Sequence, residues 1–165
     1  MTIVKSSGIP CKGNVNGDFE MLPSSLFNYI ELGLITQNDY VIYSKLLKLY
    51  NTDYGYAYPT IQQLMVFTGI KSNGTIISGL KRLVEAGLLA KTSGTRGNNI
   101  YVVLLPLEKE ELYIDVPEKV KILEGKISKL MAIAESDKER LQKFLLSKQE
   151  EESEIQAKEV GPKLL

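Results

Sequence analysis

Residues 60–89 read Thr60-Ile-Gln-Gln-Leu-Met-Val-Phe-Thr-Gly-Ile-Lys-Ser-Asn-Gly-Thr-Ile-Ile-Ser-Gly-Leu-Lys-Arg-Leu-Val-Glu-Ala-Gly-Leu-Leu89. Thr60 and Gln63 have the spacing of a capping box, in which each side chain bonds the other residue's backbone N–H. Ile61, Leu64, Met65 and Thr68 follow at helical spacing, and Gly69 suits a helix stop. Ser72 is a natural N-cap for a second helix. That helix runs to about Ala86, with Gly87 ending it. Ile76, Leu80, Leu83 and Val84 share one face and are its expected core side. Two short helices joined by a Gly-containing turn pack at a steep angle, so the second projects from the surface.

Downstream, Leu88–Thr92 and Asn99–Leu105 are rich enough in β-branched and aromatic residues to be strands. The intervening Ser93-Gly-Thr-Arg-Gly-Asn98 is polar and reads as an exposed hairpin loop. Upstream, Leu26, Phe27, Ile30 and Leu34 predict a helix opened by Pro23 and closed near Gly33. Tyr40, Tyr43, Leu46, Leu47 and Tyr50 predict another, capped between Thr36 and Asn38. Residues 51–55 form a turn cluster, Phe19–Leu22 alternates like a short strand, and residues 1–18 read as a flexible arm.

The chain has 165 residues, 20 basic and 20 acidic. The zero net charge hides an asymmetry. Residues 60–105 carry Lys71, Lys81, Arg82, Lys91 and Arg96 against Glu85 alone, a net +4, while residues 1–59 total −1 and residues 106–165 total −3. A basic stretch inside a neutral protein points to a polyanion. Without His, imidazole bases and Ser-His-Asp triads are excluded. Cys11 alone closes no intrachain disulfide and builds no typical zinc site. There is no Walker-type or nucleophile-elbow motif. No enzymatic activity, metal or cofactor is expected. No run approaches the roughly 18 apolar residues of a membrane span, and Met1–Gly8 lacks the apolar core of a signal peptide. A cytoplasmic, nucleoid-associated location is expected.

The chain resembles a winged helix-turn-helix protein. The resemblance is carried by Tyr-Pro-Thr-Ile-Gln-Gln-Leu at 58–64, Thr-Gly-Ile at 68–70, Thr-Ile-Ile at 75–77 and Leu-Lys-Arg-Leu-Val-Glu-Ala-Gly-Leu-Leu at 80–89. Within that group it is most similar to helix-turn-helix proteins of Gram-positive plasmids and phages, including replication-initiator and DnaD-type primosomal N-terminal domains. The resemblance implies a mainly α fold with a small β-hairpin (α+β), spanning residues 19–106. It implies double-stranded DNA as partner, with residues 73–86 in the major groove and the wing at 93–99 on the backbone or minor groove. Asn73, Thr75 and Ser78 are then expected at base edges. Lys71, Lys81, Arg82, Lys91 and Arg96 are expected on phosphates, with Thr60 helping through a helix N-terminus. Ser72 and Asn98 complete the expected interface. Replication initiation, segregation and transcription regulation all fit, in a bacterial, plasmid or phage system. A winged-helix protein-interaction module and an RNA-binding winged helix stay open as alternatives.

After Pro106 comes a polar connector, then Val120, Leu123, Ile127, Leu130, Ala134, Asp137, Leu141 and Phe144 at heptad a/d spacing. Residues 107–149 are expected to form a connector and one long helix, or a hairpin of two helices joined near Glu135, where Ser136 and Glu139 have capping-box spacing. Val120, Leu123, Ile127, Leu130, Leu141 and Phe144 are the expected dimerisation residues of a homodimer; packing within the chain is the other option. Replication or transcription machinery is a further candidate partner. Residues 150–165 read as a disordered acidic tail.

Overall fold

The computed structural model describes residues 20–94 and 98–159; for 154–159 only the backbone is described. The chain divides after Leu112 into two units. In the first, α1 (Leu26–Glu31), α2 (Gln37–Leu49), α3 (Ile61–Thr68) and α4 (Asn73–Glu85) are followed by strands β1 (Leu89–Ser93) and β2 (Asn99–Val103). Each longer helix starts on a side-chain cap. Thr36 caps α2 in a capping box with Asp39, and Thr60 caps α3 in one with Gln63. Ser72 Oγ accepts from Thr75 N at 3.3 Å to open α4. Gly69 closes α3 at φ 74°. That left-handed conformation costs glycine least.

The core joins Leu26 and Tyr29 of α1, Ile42, Tyr43 and Leu46 of α2, Leu64 of α3, Ile76, Leu80 and Leu83 of α4, and Leu88, Leu89 and Tyr101 of the hairpin, all buried. β1 and β2 pair antiparallel, with Leu89 opposite Val103 and Lys91 opposite Tyr101. Ala57 adds a one-residue bridge to the hairpin. Its N–H donates to Tyr101 O and its carbonyl accepts from Tyr101 N, both at 2.8 Å. The segment before α3 is thereby tied to the wing. Beyond β2, Tyr43 Oη donates to Leu104 O at 2.8 Å, and Leu107 N donates to Tyr29 Oη at 2.9 Å. Two buried tyrosines on α1 and α2 thus hold the chain as it leaves the sheet.

Several expectations are corrected. The structure begins α1 at Leu26, after a turn, and Phe27 is exposed where Tyr29 is buried. The inward face of α2 is Asp39, Ile42, Tyr43 and Leu46, because the helix is rotated to bring its first-turn carboxylate inside. Val84 is 40% exposed, on the margin of α4 rather than in its core. Glu20–Leu22 is not a strand. The arm at 1–18 and Phe19 lie outside the described residues. Within the expected connector the structure has α5 (Lys109–Asp115), whose Leu112 is buried.

The second unit contains α6 (Pro117–Glu159), 43 residues in one helix. It runs on through Glu135–Ser136 without a break, so there is no hairpin. It also continues through residues 150–159, expected as disordered tail; the remaining tail lies outside the described residues. No helix among the described residues is long and apolar enough to cross a membrane.

Candidate nucleic-acid interface

The geometry of α4 is set from α2. Gly79 sits where the two helices cross, and a Cβ there would lie 2.6 Å from Asp39 Oδ1 and 2.7 Å from Ile42 Cδ1. Only a residue without a side chain allows that approach. Into the same gap goes the fully buried Asp39. Its Oδ2 accepts from Thr36 N at 2.7 Å and from Arg82 Nε at 2.7 Å, and its Oδ1 accepts from Arg82 Nη2 at 2.8 Å. The fork of Arg82 is matched to the carboxylate in the two-bond geometry that guanidinium favours. The hydrogen bond to Asp39, opposed by burial and aided by the Asp39 charge, holds the Arg82 pKa above its usual value.

Arg82 is therefore a structural residue. Two of the guanidinium nitrogens expected on a phosphate, Nε and Nη2, are bound to Asp39, while the side chain stays 36% exposed. Sequence reasoning does not see the pair, which joins residues 43 apart. The one signal for it is a lone Asp in the first turn of α2.

Turned by this contact, α4 presents Asn73, Gly74, Ile77, Ser78 and Lys81 to solvent. The helix has 13 residues. At a rise of about 1.5 Å per residue it makes a rod about 20 Å long. Ile77 is 53% exposed, in the middle of this face. It falls outside the expected contact set, which holds only polar and charged residues. Thr75 is half-buried, and Ser72 is engaged in the helix cap. Lys81 stands 3.7 Å from Glu85, with both side chains exposed. Such a surface pair contributes little.

The hairpin lies beside α4. Because Lys91 is in register with the buried Tyr101, it shares that face of the two-strand sheet. It lines a groove of about 490 Å³ with Ile61, Ile77, Leu80, Lys81, Val84 and Glu85. A second groove, about 200 Å³, is lined by Tyr58, Pro59, Thr60, Ile61, Gln62, Asn98 and Asn99. The grooves meet at Ile61. The structure thus brings Lys81 and Lys91 together, and Thr60 and Asn98 together. Lys71 and Asn73 are exposed at the start of α4. Asn98 also closes the hairpin, its carbonyl accepting from Gly94 N at 2.7 Å. The capping box occupies both the N–H and the hydroxyl of Thr60. That leaves the next two N–H groups of α3, on Ile61 and Gln62, without intrahelical partners. Arg96 at the wing tip lies outside the described residues.

Residues 32–89 match the family model of a helix-turn-helix domain. The match spans α2, α3, α4 and the first residue of β1. No curated protein and no solved structure matches the chain. With the antiparallel hairpin after the matched segment and the long helix beyond it, the fold is a winged helix-turn-helix domain plus a helical segment. A helix-turn-helix domain is compatible with DNA as a partner.

Proposed function

We propose that the protein binds double-stranded DNA, with α4 in the major groove and the hairpin on the adjoining backbone or minor groove. The observation that carries this reading is the outer face of α4. It is polar at Asn73 and Ser78, cationic at Lys81, and flanked by Lys91 across the groove. Asn73 and Ser78 would read base edges; Lys71, Lys81 and Lys91 would hold phosphates. Ile77 would meet thymine methyl groups, the apolar feature of the major-groove edge. Among a bacterial, plasmid or phage host's processes, replication initiation, segregation and transcription regulation fit such a module. α6 would join two copies through Val120, Leu123, Ile127, Leu130, Leu141 and Phe144.

The test is a mobility-shift titration across a salt series with Lys81→Ala and Lys91→Ala. Each variant should weaken binding to all duplexes alike and flatten the salt slope by about one unit. Unchanged affinity in both removes this surface from the interface. Genome-wide immunoprecipitation then separates the processes: one peak at an origin, many at promoters, or a cluster at repeats.

A second reading has one observation in its favour. The groove beside α4 is lined by Ile61, Ile77, Leu80 and Val84 and would take an apolar side chain of a protein partner. Retained partner binding at high salt, with no shift of any duplex, would support it over DNA.

A further inference from the structure

The apolar stripe of α6 stays exposed along most of its length. Ile127 is 41% exposed, Leu130 67%, Leu141 58% and Phe144 57%. In heptad terms Val120, Ile127, Ala134 and Leu141 hold a positions, and Leu123, Leu130, Asp137 and Phe144 hold d positions. If two copies paired parallel and in register, each residue would face itself. Three of the eight layers would then be poor. Ala134 on Ala134 leaves a void, Phe144 on Phe144 is overfull, and Asp137 on Asp137 sets two carboxylates face to face.

Reversing one copy about residue 132 changes all three. Val120 then meets Phe144, Leu123 meets Leu141, Ile127 meets Asp137, and Leu130 meets Ala134. A bulky side chain now opposes a smaller one in the layers that were void or overfull. The two Asp137 carboxylates move ten residues apart along the rod, about 15 Å at the helical rise. The flanks agree. Met131 is 68% exposed and Ile133 58%. They occupy e and g positions, which are often charged in a coiled coil. In the reversed pairing each lies next to the two-fold axis and meets its own copy. Glu124 falls beside Lys138. Lys126 approaches Arg140, and Asp137, 3.7 Å from Arg140 on its own helix, offsets that charge.

We propose that α6 is an antiparallel pairing surface for a second copy of this chain, centred on residue 132. This rests on the pairing reading above and is independent of DNA binding. The two Pro117 residues would stand about 45 Å apart along the rod, thirty residues of helical rise.

Single-cysteine variants of the full chain, in a Cys11→Ser background, test the arrangement. Sedimentation should show a dimer, and Leu130→Asp combined with Leu141→Asp should convert it to a monomer. Under mild oxidation Met131→Cys should close a disulfide with itself. Leu123→Cys should close one only when mixed with Leu141→Cys, giving a heterodisulfide resolved by tag mass. A monomeric unmodified chain overturns the pairing itself. A dimer in which Leu123→Cys cross-links to itself, and Met131→Cys does not, overturns the antiparallel arrangement while leaving pairing intact. Neither result bears on the mobility-shift outcome.

Discussion

The Asp39 carboxylate accepts three hydrogen bonds with no solvent exposure, one from the Thr36 backbone N–H and two from Arg82 of the proposed DNA-reading helix. Removing Arg82 would leave that carboxylate buried with one backbone partner. The Arg82 side chain is itself partly exposed. Breaking a buried pair costs about 3–5 kcal/mol, and that partial exposure puts Arg82→Ala at the lower end. Chemical denaturation should show a loss of about 3 kcal/mol; a loss below about 1 kcal/mol would mean that water replaces the guanidinium. Gly79→Ala gains up to about 1 kcal/mol in helix propensity. Overpacking costs typically about 1–3 kcal/mol. Here the clashing atoms are a carboxylate held by three bonds and a buried Ile42, so overpacking wins and the variant is less stable. Ile77→Ala should behave oppositely to both. It leaves stability nearly unchanged, since the side chain is half exposed, and weakens binding to thymine-containing duplexes by about 1–2 kcal/mol. Replacing thymine by uracil in the duplex should mimic that loss. Equal affinity for the two duplexes would remove Ile77 from base contact.

Among the elements, α3 and α4 are legible because their boundaries obey local rules. Thr60, Gln63, Gly69, Ser72 and Gly87 act on backbone groups close to themselves in the chain, and a single sequence records that spacing. The hairpin is legible for the same reason. What escapes is non-local. The rotation of α2 depends on Arg82, far along the chain, so periodicity alone points Tyr40 and Leu47 inward in place of Asp39 and Ile42. The Ala57 bridge to Tyr101 has no periodic signature, being one residue long. α5 escapes because Lys109–Asp115 is short and mostly charged, with one buried residue, Leu112. The acidic composition of residues 150–159 suggests disorder, yet Glu, Lys and Gln are good helix formers. Of the expected interface, the outward positions Asn73, Ser78, Lys81 and Lys91 are placed as the helical wheel and the strands imply. Thr75 is half-buried and Arg82 is bound to Asp39, a long-range contact that a wheel does not show, while Ser72 is exposed and caps α4 as its local spacing implies.

At the scale of the whole molecule, the first unit depends on tyrosines buried between helices and sheet. Burial, and for Tyr43 also the nearby Tyr29, raise the pKa values of Tyr43 and Tyr101 above the ordinary value of 10.0. Unfolded tyrosines ionise first, near pH 10, so above that point the unfolded chain has given up protons that the folded one retains. Stability is full below pH 10 and falls as pH rises through the raised values. Ionisation of Tyr43 would also forfeit its donation to Leu104 O. Urea midpoints should hold steady across neutral pH and drop above pH 10. Tyr43→Phe should soften that drop while lowering stability at neutral pH by about 1 kcal/mol for the lost hydrogen bond. A midpoint indifferent to alkali would show that these hydroxyls reach water.

The clasp of Asp39, Gly79 and Arg82 shares no residue with the outward set of Asn73, Ile77, Ser78 and Lys81. Tilt and vocabulary are therefore written in separate letters. On the proposed DNA-binding reading, descendants or engineers could exchange the outward four for other side chains and obtain a different preferred word of DNA, while the rod keeps the same cant against its scaffold.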